Sequence, residues 1–482
     1  MKTKRRDFLK TAGLAGLGIF TNARQGFAAK ETNHNPYEFS HEQQFNMSGY
    51  AAPKIDPVRI GIIGMGGRGS SHLKTWIRVE GVEIRALCDL LPKNAESAKK
   101  MLEGTGHNPK LYTGSKKEWE KLCEQNDIDL VIITTPWYMH ARMGIYAMEQ
   151  GKHVASEVPA AGTIEECGKL VETSERTRKY FRMMSNTNYA EFQLLTLNMT
   201  RKGFFGDVVH ADCAYNTSKM HSFGKTTYWN MWWLKQYAWR KGNIYPTHGL
   251  GPVASIMDIN RGDRFDYLVS LESEDFIMNA KAKELADKDD FYKPFAGLDY
   301  RGSMNVTMIK TKKGRSIMLQ HDASTPSPHD RKHGIYGTDG AARMDPPPRR
   351  LCVGNHKWIN HKETYKASAD WITEEEKDYE RLKEKYTPEI MKKMGEVTRG
   401  SGHDGADLMQ AWRIVDCLRN GLPMDQDVYD AASWSSILPL SEWSVRHRSD
   451  SIDIPDFTAG SWKTNNRNMD INLEKTGNTK VI

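Results

Sequence analysis

Long apolar runs are missing from this chain. Nowhere in its 482 residues is there an uninterrupted apolar stretch of eighteen. A helix needs about that length to cross a bilayer, so no membrane span is expected. Cysteine is scarce too: Cys88, Cys123, Cys167, Cys213, Cys352 and Cys417 are the whole complement, with no C-x-x-C pair. These cysteines and the histidines match no zinc spacing, so no metal site is expected. A core of this size does not depend on disulfides, and several of the six read as buried, reduced thiols. A block of one-signed charge is also absent from most of the chain. The net charge is +7, but residues 1–29 set Lys2, Lys4, Arg5, Arg6, Lys10 and Arg24 against Asp7 alone. The remainder is nearly balanced, and without a clustered basic face no nucleic-acid partner is expected. Gly and Pro are neither periodic nor extreme, which excludes collagen-like and wholly disordered chains.

The N-terminus carries a basic opening, a mild apolar stretch from Ala12 to Phe20, and small residues at Ala28 and Ala29. Arg5-Arg6-Asp7-Phe8-Leu9-Lys10 resembles a twin-arginine export signal, which is an address read by a receptor and not an anchor. Residues 1–29 are therefore read as a signal, and the expected location is periplasmic or otherwise exported. That route carries folded proteins, so a tightly held cofactor loaded before export is expected. Residues 30–55 are polar and rich in Pro and Asn, and read as a linker or surface arm.

From Pro57 strand and helix patterns alternate. Val58–Ile63, Val82–Cys88, Asp129–Thr135 and His153–Ser156 read as strands; Ser70–Val79, Met139–Gln150 and Ile164–Thr177 read as helices. Such alternation predicts an α/β domain with a parallel sheet over 56–185. Beyond Asn186, Asp207–Tyr215, Tyr267–Leu271, Met304–Lys310 and Ser316–Gln320 read as strands, with turns at Lys312–Arg315 and Thr338–Gly340. An α+β domain with a mostly antiparallel sheet is predicted for 186–450, followed by a tail over 451–482. Thr373–Arg399 is charged and helical and reads as a solvated insertion. Leu408–Arg419 reads as an amphipathic helix stopped by Asn420-Gly421-Leu422-Pro423.

Gly64-Met65-Gly66-Gly67-Arg68-Gly69 is a G-x-G-x-x-G sequence placed after a strand and before a helix, the context that gives it meaning. Gly64 permits the tight turn, Gly66 lets a pyrophosphate approach the backbone, and Gly69 lets helix and strand pack closely. Asp89, twenty residues beyond Gly69, ends the second strand. A carboxylate there accepts from ribose hydroxyls and disfavours a 2′-phosphate, so NAD is the expected cofactor. The loops Thr134–His140 and Glu157–Pro159 follow two further strands and should border it.

These residues resemble the superfamily of glucose–fructose oxidoreductase and inositol dehydrogenase, which joins a Rossmann domain to an open-faced sheet that holds a sugar. Its usual Glu-Lys-Pro carries a catalytic lysine, and here that position is Val158. The chain looks more closely like glycoside hydrolase family 109. The likeness rests on Gly61–Gly69, Glu157-Val158-Pro159, Asn243–Pro252 with its Tyr245-Pro246-Thr247-His248 core, Gly337–Arg343, Trp412–Pro423, Asp427–Trp434 and Pro439–Val445. The resemblance implies an NAD-dependent α-N-acetylgalactosaminidase working without net redox change. In it the sugar is oxidised at carbon 3, loses the carbon-2 proton, expels its leaving group, adds water and is reduced again.

It also implies that Gly67, Arg68, Asp89, Trp137, Tyr138, Met139, His140, Glu157, Val158 and Asn186 contact NAD. Tyr215 and Tyr245, Pro246, Thr247 and His248 would contact the sugar. His248 is expected to shuttle a proton near carbon 3 and Tyr245 to be its acid/base partner. Arg240 is a further candidate for a sugar hydroxyl or acetamide, and an indole of Tyr228–Trp233 or Trp239 for stacking. At His329 the family carries Tyr, which bears on sugar preference. Two other readings stay open: an exported NAD(P)-dependent sugar oxidoreductase, and a sugar-binding protein holding NAD as structure. The expected partner is a small-molecule or glycan substrate, and a homo-oligomer is compatible with the sequence.

Overall fold

The computed structural model describes residue 37 and residues 39–482, apart from 355, 359–364, 368 and 369. The signal-like segment 1–29 thus lies outside the described residues. Six strands, β1 (Val58–Ile63), β2 (Val82–Asp89), β3 (Lys110–Thr113), β4 (Leu130–Ile133), β5 (His153–Ser156) and β6 (Phe181–Met183), form one sheet in the order β3-β2-β1-β4-β5-β6. Every neighbouring pair is parallel. β4 is buried along its whole length, as expected where a parallel sheet is covered on both faces. The strand order reverses between β1 and β4, and that switch point opens a crevice at their carboxyl ends. β3 and β6 escape a reading by pattern: one is four residues at a half-exposed edge, the other only three.

Helix α1 (Gly67–Trp76) starts three residues before the apolar pattern does, so the glycine fingerprint itself makes its first turn. Helix α2 (His140–Glu149) follows a 3-10 turn at Trp137–Met139, and α3 (Ile164–Thr177) is capped by Thr163, whose Oγ1 accepts from the Glu166 N–H.

The second half builds a larger sheet. Its strands are β7 (Val208–Asn216), β8 (Phe265–Glu272), β9 (Met304–Thr311), β10 (Ser316–Asp322), β11 (Gly334–Gly337), β12 (Gly340–Arg343), β13 (Arg350–Val353), and, past a separate hairpin of β14 (His356–Trp358) and β15 (Tyr365–Ala367), β16 (Ile372–Thr373) and β17 (Ile452–Asp453). The order is β16-β13-β12-β11-β7-β10-β9-β8-β17. Only β7 and β10 run parallel; the other neighbours are antiparallel. Burial alternates along β9, leaving one face open. β9 and β10 are joined over Lys312–Arg315, where Gly314 takes φ +85°.

Three further helices, among several others, frame the site: α4 (Thr247–Ile256), α5 (Ala406–Asn420) and α6 (Val428–Arg446). α6 ties the two sheets together. Its Ser435 Oγ accepts from the Ala160 N–H at 3.0 Å, and its Ser444 Oγ accepts from the Ser270 N–H on β8 at 2.9 Å. Asp427 and Asp430 form a reciprocal capping box at its start.

Three segments depart from the simplest expectation. Thr373–Arg399 is split at Pro388 into helices Lys377–Tyr386 and Glu389–Thr398, which bury Tyr379, Tyr386, Ile390 and Met394. It is packed, not merely solvated. The arm before β1 is pinned down: Gln43 donates to the Tyr429 hydroxyl at 2.8 Å, and the Gln44 N–H donates to Glu175 at 3.0 Å. The tail returns to both halves, as edge strand β17 beside β8 and through an isolated bridge between Val481 and Val79, just before β2. All six cysteines are buried and unbridged. Among the described residues no helix is long and apolar enough to cross a membrane.

Candidate active site

The crevice at the β1–β4 switch point widens into a cleft of about 920 Å³ that runs to the end of β7 and the start of α4. Its dinucleotide end is dictated by glycine. Gly64 has φ +96°, and a Cβ there would lie 2.9 Å from the Thr134 carbonyl. A Cβ on Gly69 would stand 1.9 Å from the Gly64 oxygen, so helix and strand could not approach. At Gly66 and Gly67 a Cβ would meet nothing within 4 Å. Those two residues face open cleft at the first turn of α1, where unpaired N–H groups and the helix dipole favour a phosphate. Asp89 closes this end: its carboxylate accepts from the Met65 N–H at 2.7 Å and the Leu91 N–H at 2.8 Å.

An ionic cluster follows. Arg68 Nε donates to Glu157, while its two terminal nitrogens donate to both oxygens of Asp407 at 2.8 and 3.0 Å. His72 Nε2 lies 2.7 Å from Glu157, and Asp407 also accepts from Asn186 Nδ2 and bonds His403 Nδ1, each at 2.8 Å. Burial pushes both carboxyls up, but the adjacent Arg68 and the imidazoles outweigh it and hold Glu157 and Asp407 well below the usual carboxylate range. Burial alone would lower Arg68, whose two carboxylates instead raise it. Asn186 Oδ1 is buried and has no partner among the described residues, an acceptor left over in the cleft wall.

Aromatic rings build the far end. Trp137 stacks on Tyr245 with centroids 5.1 Å apart, and Trp233 meets Trp137 at 4.8 Å. Tyr215, from the end of β7, packs against Tyr245 at 4.7 Å and His248 at 5.4 Å. The Tyr245 hydroxyl lies 3.2 Å from His248 Nε2, and His248 Nδ1 is buried without a partner among the described residues. Burial raises Tyr245 well above the ordinary phenol value, with Tyr215 and Glu157 adding to it. Burial and the charge of Arg331 drive His248 well below the ordinary imidazole value. At neutral pH the pair is therefore a protonated phenol beside a neutral imidazole, an acid and a base in reach of one another.

Of the residues singled out by sequence, Gly64, Gly66, Gly67, Arg68, Asp89, Trp137, Tyr138, Met139, His140, Glu157, Val158, Asn186, Tyr215, Tyr245 and His248 all line this one cleft. His140 has both ring nitrogens against carbonyl oxygens, Pro159 at 2.7 Å and Thr135 at 2.8 Å. It clamps two loops together. Pro246 and Thr247 are buried in the first turn of α4 and lie outside the cleft lining. His329 is exposed at the rim, its ring 5.6 Å from Tyr215. Arg240 must be corrected: its guanidinium is held by Glu442 at 3.0 Å and by the Gly162 carbonyl at 2.9 Å, away from the cleft lining. His72, His403, Asp407 and Lys219 were missed. His72 lies one helical turn from Arg68 and Lys219 four residues from Tyr215, but neither belongs to a short motif; Asp407, with His403 bonded to it, reaches Arg68 only through the fold.

A Rossmann sheet with a cradle shaped for a pyrophosphate, backed by an open-faced sheet, defines an NAD-binding protein of the oxidoreductase fold. Residues 58–185 match the oxidoreductase family with an NAD-binding Rossmann fold. Among solved structures, an NAD-binding oxidoreductase from Klebsiella pneumoniae aligns with a TM-score of 0.63 at 15% identity, covering 83% of this chain and 99% of that one. A levoglucosan dehydrogenase in complex with NADH aligns at 0.60 and 16% identity, with the same coverage.

The second half narrows the class. Residues 189–464 match the C-terminal domain of glycosyl hydrolase 109. A glycosyl hydrolase family 109 protein of Shewanella pealeana is 41% identical over 471 residues, 96% of this chain and 98% of that protein. An alpha-N-acetylgalactosaminidase of Shewanella oneidensis is 41% identical over 469 residues, 95% and 97% respectively. The chain belongs to glycosyl hydrolase family 109. It is a glycoside hydrolase, and its cofactor is NAD.

Proposed function

We propose that this enzyme removes a terminal α-linked N-acetylgalactosamine from a glycan, oxidising the sugar transiently and reducing it again before release. The observation that carries the reading is the Tyr245–His248 pair, 3.2 Å apart in the same cleft as the dinucleotide cradle. The relative from Shewanella oneidensis named alpha-N-acetylgalactosaminidase supports the choice of sugar.

Bound NAD supplies a reversible hydride acceptor to one sugar ring carbon. The chain's own groups do the remaining work. His248, neutral at working pH, takes the proton of the hydroxyl being oxidised, and Tyr245 donates its O–H to the oxygen that gains charge. Trp137, Trp233 and Tyr215 offer apolar faces against which a pyranose stacks. Asp407 and Glu157 hold Arg68 in one orientation at the dinucleotide end.

The Arg5–Lys10 stretch supports export by the twin-arginine route, with NAD loaded in the cytoplasm. The test is direct. Purified mature protein carries NAD without supplementation and releases p-nitrophenol from its α-N-acetylgalactosaminide. Protein free of NAD and unable to bind it overturns the proposal.

A further inference from the structure

Among the described residues, Lys219 stands in the cleft with no acid to pair with. It follows β7 on a half-buried loop, and its Nζ donates to the Tyr215 hydroxyl at 3.1 Å. The ammonium lies 5.2 Å from the Tyr215 ring centroid and 5.1 Å from that of Trp233, two rings of the cleft wall. Among the described residues it forms no ion pair. Arg331 lies on the neighbouring segment, and its carbonyl accepts from the Ala214 N–H of β7 at 2.9 Å. Its guanidinium likewise makes no ion pair, and its Nε is buried without a partner. It lies outside the cleft lining, and its charge contributes to lowering His248.

The acids nearby do not neutralise these two cations. Glu157 is engaged by Arg68 and His72. Asp345 accepts the backbone N–H of Arg331 at 3.1 Å, and Asp404 is exposed; neither closes an ion pair with the guanidinium. Burial keeps His248 and His321 below the ordinary imidazole value, so these rings beside Tyr215 add little charge. An uncompensated cation in the half-buried cleft wall, with a second unpaired cation behind it, is costly unless a ligand brings the missing anion. Arg68, the other partly buried cation among the described cleft residues, has its carboxylates built in.

We propose that Lys219, backed by Arg331, forms an anion subsite at the sugar end of the cleft, and that the natural substrate sugar carries a sulfate ester or a carboxylate. This rests on the glycosidase reading and adds a substrate class to it. A neutral sugar would satisfy Lys219 only through hydroxyl oxygens and would leave its charge unbalanced. An anionic substituent meets it with a charge-assisted hydrogen bond.

The test compares p-nitrophenyl α-glycosides of N-acetylgalactosamine, its 6-sulfate and N-acetylgalactosaminuronate on the NAD-loaded enzyme. At least one anionic glycoside is expected to show kcat/KM about tenfold or more above the neutral one, the worth of a single charge-assisted bond. Which of the two leads identifies the anion. The preference should shrink between about 20 mM and about 500 mM NaCl. Lys219→Met should bring it close to parity while the neutral glycoside is still turned over, and Lys219→Arg should retain it. Wild-type enzyme that hydrolyses the neutral glycoside at least as well as both anionic ones overturns the subsite and leaves the glycosidase reading standing. So does a Lys219→Met enzyme that loses the same factor on all three, which would assign Lys219 to the chemistry. No turnover of any of them by NAD-loaded wild type overturns both.

Discussion

Gly66 and Gly69 stand three residues apart in one loop, yet they should fail in different ways when changed. Gly66 has φ −70° and ψ −163°, backbone that any residue adopts, and a Cβ there meets nothing within 4 Å. Gly66→Val should therefore leave the stability of NAD-free protein within about 0.5 kcal/mol of wild type, the usual range for a substitution into open space. The isopropyl group would nonetheless stand where the phosphates reach the first turn of α1. Losing two hydrogen bonds to a charged group, at about 1.5 kcal/mol each, amounts to roughly 3 kcal/mol, or about a hundredfold in Kd. Gly69→Ala places a methyl 1.9 Å from the Gly64 oxygen and 2.9 Å from Thr134 Oγ1, a backbone and a tied-down side chain. Overpacking of that kind costs about 1–3 kcal/mol, and Tm should fall by several degrees without any ligand present. Thermal melts of stripped protein, paired with calorimetric titration of NAD, separate the two. If Gly66→Val melts as low as Gly69→Ala, or keeps wild-type affinity for NAD, the reading of this loop is wrong.

Other expectations follow from the same geometry. His248→Asn should lower kcat by about 10²–10⁴ with little change in Tm, and Tyr245→Phe should lower it by a smaller factor, measured with NAD in excess. Because burial holds His248 well below its ordinary value of about 6.5, the acid limb of kcat/KM should fall well below that pH. Asp407→Asn should destabilise the fold by about 3 kcal/mol at pH 7, since Arg68 loses its bidentate carboxylate. The folded pKa of Asp407 is depressed, so its contribution is complete above the unfolded value of about 3.9 and fades as pH falls below it. Urea melts of wild type and variant should accordingly converge toward acid pH.

The dinucleotide end was legible because its chemistry is local: five residues after β1 contain the turn, the cradle and the helix start. Tyr245 to His248 were legible only through the family resemblance, and the structure adds the 3.2 Å contact between them. Asp407 was not legible. It lies 339 positions from Arg68, and nothing near it announces a partner. Arg240 misled because a cation beside a tryptophan tract looks available until Glu442, 202 residues on, takes it. Helix α6 was hidden by its own burial. It is covered on nearly every side, carries Pro439 inside and shows no apolar stripe. The parallel pairing of β7 with β10 is likewise a product of the tertiary path, as either strand alone reads as part of an antiparallel meander.

One measurement bears most directly on the claim that the sugar is oxidised and reduced within each turnover. The NAD-loaded enzyme is given an α-N-acetylgalactosaminide in heavy water, and the released N-acetylgalactosamine is examined by NMR and mass spectrometry. Passage through a ketone that acidifies carbon 2 predicts product with deuterium in place of the hydrogen on that carbon. Product released at full rate with its carbon-2 hydrogen intact and no isotope effect there would contradict the account.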